Sequence, residues 1–299
     1  MTASVQQLDA TGMINKQNGS VVMGCLPLYH ICKSPGSEVF PPAYTNSPRP
    51  ANLVGLVVLL HNTLFLGGKI VLLPKFDMLM YLNALQDHHA TLALIVPPIA
   101  LGLARHPVVD KFDLSSLRFV ISGAAPMSWE LQSALQDRIN GQRKPGVEGQ
   151  TKVIQGWGMT ETTSGGLLPD VRDGPVKTLT VGKLLPGMEA RLVDEDGKDV
   201  AEGEAGEFVS RANGGGERGP RGGHLSASNL KLTVLFLPCA VWQLVRGPLV
   251  MLGYYGNDKA TKETIGADGW MSTGDVAVRT PGGDFSIVDR RKELIKYKG

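Results

Sequence analysis

Thr91-Leu-Ala-Leu-Ile-Val-Pro97 and Leu117-Arg-Phe-Val-Ile-Ser122 decide the fold class. Each is a short apolar run that reads as a strand, and a helix-length gap separates them. The same grammar extends on both sides. Upstream, residues 21–28 read as a buried strand ending at Pro27. Leu53 to Leu66 is apolar nearly all round, long enough for a buried helix, and closed by Gly67-Gly68. Lys69-Ile-Val-Leu-Leu-Pro74 is a strand, and Leu79, Leu82 and Leu85 follow at helical spacing. Downstream, Ser128 is a candidate N-cap for a helix to about Asn140, and Lys152 to Gln155 is again a strand. Strands alternating with helices predict parallel pairing in a doubly wound α/β sheet. Ligands bind beyond the carboxyl ends of such strands. The two richest loops, 122–126 and 155–166, both fall there.

After about residue 178 the pattern changes. Ala190-Arg-Leu-Val193, Gly206-Glu-Phe-Val209, Val276-Ala-Val278 and Phe285-Ser-Ile-Val288 are short apolar runs separated by Gly, Asp and Pro. Pro281-Gly-Gly-Asp284 has the composition of a hairpin turn. This half reads as a β-rich subdomain packed on the mostly parallel α/β part. The expected organisation is 1–178 for the α/β part, 179–290 for the β-rich part and 291–299 for a hinge leading to a further domain. Two stretches, about 32–54 and 209–243, have no period. The first holds five prolines; the second opens with a Gly- and Arg-rich run and ends in Leu230-Lys-Leu-Thr-Val-Leu-Phe-Leu-Pro238. Loops this long are uncommon inside a compact domain.

Composition narrows the classes. A chain of 299 residues can bury one large core or two smaller ones. Its net charge of +2 gives no reason to expect a nucleic-acid partner. Gly is high, 37 of 299 against about 7% in typical proteins. That favours turns and close backbone approach to a ligand over a helical bundle. Cys25, Cys32 and Cys239 are odd in number and unpatterned, which argues against a disulfide framework or a structural zinc site. The first residues show neither a basic n-region nor an apolar h-region, so no signal peptide is expected. No charge-free apolar run reaches the ~20 residues of a membrane span.

Gln155-Gly-Trp-Gly-Met-Thr-Glu-Thr-Thr-Ser-Gly-Gly166 is the richest segment. Gly156 and Gly158 permit tight turns and let backbone N–H groups approach a phosphate. Thr160 can donate its hydroxyl to a phosphate oxygen, and Glu161 can hold a magnesium ion against it. Trp157 offers a flat face for a base. A polar, Gly-rich connection would have the same composition. Ser122, Gly123, Ala124, Ala125 and Pro126 follow a strand and can present backbone groups to an adenine edge, although an ordinary strand-to-helix turn fits as well. Asp275, in Ser272-Thr-Gly-Asp275, places a carboxylate at the start of a strand, where it can accept both hydroxyls of a ribose. Arg290 can add a cationic contact. With Arg291, Lys292, Lys296 and Lys298 it also reads as a solvated basic face.

Taken in order, Leu26-Pro-Leu-Tyr-His30, Ser122-Gly-Ala-Ala-Pro126, Gln155-Gly-Trp-Gly-Met-Thr-Glu161, Val245-Arg-Gly-Pro-Leu-Val-Met-Leu-Gly-Tyr-Tyr255, Gly269-Trp-Met-Ser-Thr-Gly-Asp275 and Val288-Asp-Arg-Arg-Lys-Glu-Leu-Ile-Lys-Tyr-Lys-Gly299 are specific. The chain resembles the AMP-forming acyl-CoA synthetases, and among them the 4-coumarate–CoA ligase and firefly-luciferase branch. The resemblance implies a two-step reaction. A carboxylic acid, aryl or fatty, attacks ATP to give an acyl-adenylate, and coenzyme A then takes the acyl group as a thioester. It assigns the phosphate contact to Thr160 and magnesium to Glu161. Trp157 stands where the family commonly has a Tyr against the adenine. Ser122 to Pro126, with Gln155 to Gly158, would line the nucleotide and acyl pockets. Asp275 and Arg290 would hold the ribose, and His30 would sit by the acyl carboxylate. Lys292 falls at the family's hinge and Lys296 at a lysine of the second half-reaction. Relatives are cytoplasmic or peroxisomal.

The chain departs from the family pattern in three ways. The chain is expected to lack the family's Ser/Thr/Gly-rich phosphate loop before Leu26 and its second domain after Gly299, and the two irregular stretches interrupt the family's spacing. The chain therefore reads as truncated at both ends, with impaired thioester formation. The interruptions read as translated introns, since Cys32-Lys-Ser and Val209-Ser210 can be encoded by splice-donor-like sequences; true insertions are the competing reading. A nucleotide-binding remnant without catalysis and an adenylation domain loading a carrier protein remain alternatives.

Overall fold

The computed structural model describes residues 13, 19–24, 54–73, 76–143, 149–171, 180–194, 197–200, 205–210 and 242–290. The expectations placed on Leu26–His30, on 32–53, on 211–241 and on 291–299 lie outside them.

The first half builds a five-stranded sheet. β1 (Val21–Gly24) is followed by helix α1, whose wide turns over Val54–Asn62 tighten over Thr63–Phe65. The chain leaves α1 as expected, with the Gly67 and Gly68 N–H groups bonding back to the Leu64 and Thr63 carbonyls at 3.1 and 2.8 Å. Then come β2 (Lys69–Leu72), α2 (Met78–Asp87), β3 (Leu92–Ile95), α3 (Pro97–Arg105), β4 (Phe119–Ser122), α4 (Trp129–Gly141) and β5 (Lys152–Gln155). The order is β2-β1-β3-β4-β5, with every pair parallel. The strand order reverses between β1 and β3, which is the signature of a doubly wound sheet. Alternation along the strands splits the core in two. Met23, Ala93, Ile95, Val120 and Val153 face α2, α3 and α4. Val22, Leu92, Leu94 and Ile154 face Leu59 of α1 and Leu66 just after it.

Local chemistry places these helices. Asp77 caps α2, its Oδ1 accepting from the Met80 N–H at 2.9 Å. Ser128 caps α4 as expected, its Oγ accepting from the Leu131 N–H at 3.3 Å. Sequence patterning leaves α3 unassigned. It begins at Pro97, whose missing N–H costs nothing in a first turn, and buries Ile99, Ala100 and Leu103. Leu79, Leu82 and Leu85 all lie on α2, as their helical spacing predicts. Leu82 and Leu85 are buried, but Leu79 is 52% exposed and Tyr81 is buried in its place. Positions 81, 82 and 85 share one face of a 3.6-residue helix; position 79 lies about 100° away from it.

The second half is antiparallel. β6 (Leu167–Leu168) pairs with β7 (Lys183–Leu184). β8 (Glu189–Val193), β9 (Ala205–Ser210), β10 (Trp242–Arg246), β11 (Met271–Ser272), β12 (Asp275–Arg279) and β13 (Phe285–Arg290) form one sheet in the order β11-β10-β8-β9-β12-β13. The short helix α5 (Asp258–Thr264) lies between β10 and β11. β10 begins inside the stretch read as irregular, because Trp242 and Gln243 pair with Val193 and Leu192. The expected turn at Pro281–Asp284 joins β12 to β13, with the Thr280 N–H on the Asp284 carbonyl at 2.8 Å. Trp157, Leu167, Leu185, Met188, Leu249, Met271 and Phe285 form the core of this half. Among the described residues no helix is long and apolar enough to cross a membrane.

Leu135 of α4 is fully buried against the parallel sheet. Leu135→Ala is expected to cost about 2–5 kcal/mol in urea unfolding through lost transfer energy and the cavity it leaves. A loss below about 1 kcal/mol would mean that α4 does not pack as described.

Candidate functional site

β4 and β5 are parallel neighbours, so the loops that follow them leave the same edge of the sheet. A side-chain amide ties those loops together. Gln155 ends β5 and is buried. Its Oε1 accepts from the Met127 N–H at 2.8 Å, and its Nε2 donates to the Met127 carbonyl at 3.0 Å and to Gln132 Oε1 at 2.9 Å. Gln132 Nε2 in turn donates to the Val153 carbonyl at 2.8 Å. Gln155 thus treats Met127 as a neighbouring strand would. Its amide is engaged within the protein, so it supports the 123–128 loop instead of offering polar atoms to a nucleotide.

That loop is raised and strained. The Gly123 N–H reaches the Ile95 carbonyl at 3.2 Å, and the Ser122 carbonyl accepts from the Gly156 N–H at 3.0 Å. Ala124 has φ +71, a conformation that costs a non-glycine residue of order 1–3 kcal/mol and clusters at ligand sites. Ala124, Ala125 and Pro126 are exposed, whereas Ser122 is buried and its Oγ makes no hydrogen bond among the described residues.

The segment after β5 folds back sharply. Trp157 and Leu167 exchange backbone hydrogen bonds at 3.0 Å in both directions. The hairpin between them closes so tightly that a Cβ on Gly158 would sit 1.7 Å from the Ser164 carbonyl oxygen, so only glycine fits. Thr160–Thr162 form one 3₁₀ turn, and Thr162 Oγ1 both accepts from the Met159 N–H and donates to its carbonyl, each at 3.0 Å. Thr163 and Ser164 follow with φ +51 and +97. Thr160 and Glu161 are part-exposed on this turn.

A second segment, following β10, straps the turn from outside. The Met251 N–H donates to the Glu161 carbonyl at 2.8 Å, and Thr163 Oγ1 donates to the Leu249 carbonyl at 2.6 Å. Tyr254 Oη donates to Glu161 Oε1 at 2.8 Å. Burial, followed by the hydrogen bond to Glu161 and its negative charge, pushes the Tyr254 phenol above its ordinary value; a hydrogen bond with Thr264 opposes the shift. Nothing in the sequence around Tyr254 signals this contact, which spans 93 residues.

Trp157 departs from expectation. It is only 7% exposed and packs in the core of the antiparallel half, not as an open face for a base. Its Nε1–H donates to Asp275 Oδ2 at 2.7 Å, and Asp275 is 3% exposed. An indole cannot be buried without a partner for its N–H, and the carboxylate supplies one. The bond brings the turn after β5 to the first residue of β12, 118 residues on. The register sets Arg290 opposite Asp275, so the two residues expected to act together are backbone neighbours. The side chain of Arg290, and all of His30, Lys292 and Lys296, lie outside the described residues. Also among the described residues, no group of three or more His, Cys, Asp or Glu could hold a metal ion.

A family model described as AMP-binding enzyme matches residues 50–216, more than half of the chain. The chain belongs to the AMP-binding enzyme family. It is 33% identical over 284 residues to a probable 4-coumarate–CoA ligase 1 of Dictyostelium discoideum, covering 95% of this chain and 39% of that protein. It is 35% identical over 237 residues to luciferin 4-monooxygenase of Photinus pyralis, covering 79% of this chain and 35% of that protein. The chain therefore spans well under half the length of these relatives. Among solved structures it is similar to ATP-bound MatB from Rhodopseudomonas palustris (TM-score 0.69, 24% identity, 99% of this chain and 44% of that one). It is also similar to the N-terminal domain of FACL13 from Mycobacterium tuberculosis (TM-score 0.65, 17% identity, 96% and 54%). These likenesses bear out the fold: a parallel doubly wound sheet followed by a β-rich part.

Trp157→Phe keeps the ring but removes the donor from a buried carboxylate. It is expected to destabilise the protein by about 1–3 kcal/mol in chemical denaturation, and an unchanged midpoint would mean that Asp275 does not depend on the indole. The Tyr254 phenolic proton is held more tightly in the folded than in the unfolded state. Its stabilising contribution is complete below the ordinary value of 10.0 and is lost as pH rises through the higher folded value. The ultraviolet phenolate titration of the wild type minus that of Tyr254→Phe reads this directly, and Glu161→Gln is expected to bring the titration back down.

Proposed function

We propose that this chain carries the nucleotide-binding part of an enzyme that activates a carboxylic acid with ATP. The acid oxygen attacks the α-phosphorus, the bond to pyrophosphate breaks, and an acyl-adenylate forms. The thiol of coenzyme A then attacks the acyl carbon and AMP leaves, giving a thioester. The observation that carries the reading is convergence. The strained loop 123–126, the turn bearing Thr160 and Glu161, and the Trp157–Asp275 bond come from three parts of the sequence and are joined by direct hydrogen bonds through Gln155 and Trp157.

In this reading the raised loop Ser122–Pro126 meets the adenine and the acyl group. Gly156 and Gly158 let the backbone approach the phosphates, Thr160 donates to a phosphate oxygen, and Asp275, steadied by the Trp157 indole, receives the ribose with Arg290 beside it. Glu161 is a lone carboxylate outside any cluster of metal-binding side chains among the described residues. That suits magnesium, which commonly takes one or two carboxylates together with substrate phosphates. Magnesium supplies charge neutralisation on the phosphates, so the protein's part is chiefly to hold the reactants in line. His30 beside the acid, Lys292 as hinge and Lys296 in thioester formation complete the assignment. Residues 1–178 and 179–290 are then two parts of one nucleotide-binding unit, with 291–299 as its hinge. The substrate is an aryl or fatty acid, and the setting cytoplasmic or peroxisomal.

Incubation with ATP, coenzyme A and a panel of hydroxycinnamic and fatty acids tests the reading. Weak acid-dependent AMP release is expected, in line with the impairment expected of this chain, and reduced about 10²-fold or more by Glu161→Gln. Nucleotide binding without acid-dependent AMP release would leave a binding remnant, and absence of nucleotide binding would overturn the reading.

A further inference from the structure

Glu161 is the part-exposed end of a flexible side chain on a single helical turn, a poor support for a metal-holding carboxylate unless something fixes it. The structure supplies a fixture. Tyr254 Oη donates to one carboxylate oxygen, Oε1, at 2.8 Å. The neighbouring side chains Leu252 and Tyr255 are fully exposed, so Tyr254 alone turns back toward the turn.

Tyr254 is itself held. Its N–H donates to Thr261 Oγ1 at 2.9 Å, and its carbonyl accepts from the Asn257 N–H at 3.1 Å. Asn257 caps α5, its Oδ1 accepting from the Ala260 N–H at 3.1 Å, and Thr261 Oγ1 donates to the Asn257 carbonyl at 2.9 Å. Gly253 precedes it at φ +154, where an added Cβ would lie 2.7 Å from Thr261 Cγ2. The ledge formed by Gly253–Asn257 is therefore built onto α5. The Met251–Glu161 and Thr163–Leu249 bonds lock it to the Thr160–Thr163 turn.

We propose that Tyr254 is a positioning residue for Glu161: its phenol engages Oε1, fixes the carboxylate rotamer and leaves Oε2 directed to a nucleotide-bound magnesium ion. The inference rests on the reading of Glu161 given above. A side-chain partner of this kind commonly accounts for 10–100-fold in metal affinity, because a ligand already held in place loses less freedom on binding.

The test is calorimetric titration of the whole chain with a non-hydrolysable ATP analogue, with magnesium and with a chelator, for the wild type, Tyr254→Phe and Glu161→Gln. The expected result is that Tyr254→Phe loses about tenfold of the magnesium-dependent gain in affinity while its metal-free affinity stays unchanged. An undiminished gain in Tyr254→Phe, or a parallel fall in metal-free affinity, overturns the proposal, the latter by making Tyr254 a structural tie only. Glu161→Gln separates the levels. If it abolishes the gain while Tyr254→Phe keeps it, Glu161 holds the metal and only the role of Tyr254 falls. If the wild type shows no gain, or Glu161→Gln retains it, the metal role of Glu161 fails and this inference with it.

Discussion

The buried hydrogen bond from the Trp157 indole to the Asp275 carboxylate is the constraint on which the rest of the site depends. A carboxylate removed from water needs donors, and an indole N–H removed from water needs an acceptor. Each meets the other's need across two sheets of different architecture. Trp157 leaves the parallel sheet and enters the core of the antiparallel one, surrounded by Leu167, Leu185, Met188, Met271 and Phe285. Asp275 begins the strand that pairs with both β9 and β13. The two halves of the chain are thus registered at the edge where the nucleotide is proposed to sit.

Around that anchor the loops are held by side chains acting as surrogate backbone. The Gln155 amide pairs with Met127 as a strand would, and Thr162 folds its hydroxyl onto both polar groups of Met159. These bonds, with the left-handed conformations at Ala124, Thr163 and Ser164, keep the turn after β5 and the loop after β4 in shapes their local sequences do not favour. Strain concentrated at one edge, with a regular core behind it, is how a rigid scaffold presents a preorganised surface.

Legibility tracked the range of the interaction. The Ser128 cap and the hairpin turn at 281–284 rest on contacts within a few residues, and the strands 92–95, 119–122 and 152–155, although paired at long range, are marked by the composition of their own short apolar runs. α3 is not marked in the sequence, because its nine residues follow a strand closely and carry no polar cap, only Pro97 and Pro98. The helical spacing of Leu79, Leu82 and Leu85 marks α2, but which residues it buries, Tyr81 with Leu82 and Leu85, depends on the sheet it packs against. The glycine neighbours of Trp157 suggest a ligand loop and a flat face for a base; its burial depends on residues 167 to 285, which sequence order does not bring near it.

By itself the sequence determined the fold class, the ladder of parallel strands and the identity of the motif words, since each is written in short-range periodicity and composition. Tertiary structure alone decided what those words do. It turned Gln155 inward as a support, closed Trp157 onto Asp275 and set Tyr254 against Glu161. The reason is physical: an unpaired polar group is costly only once it is buried, and only the assembled fold settles which groups are buried and which partners lie within reach.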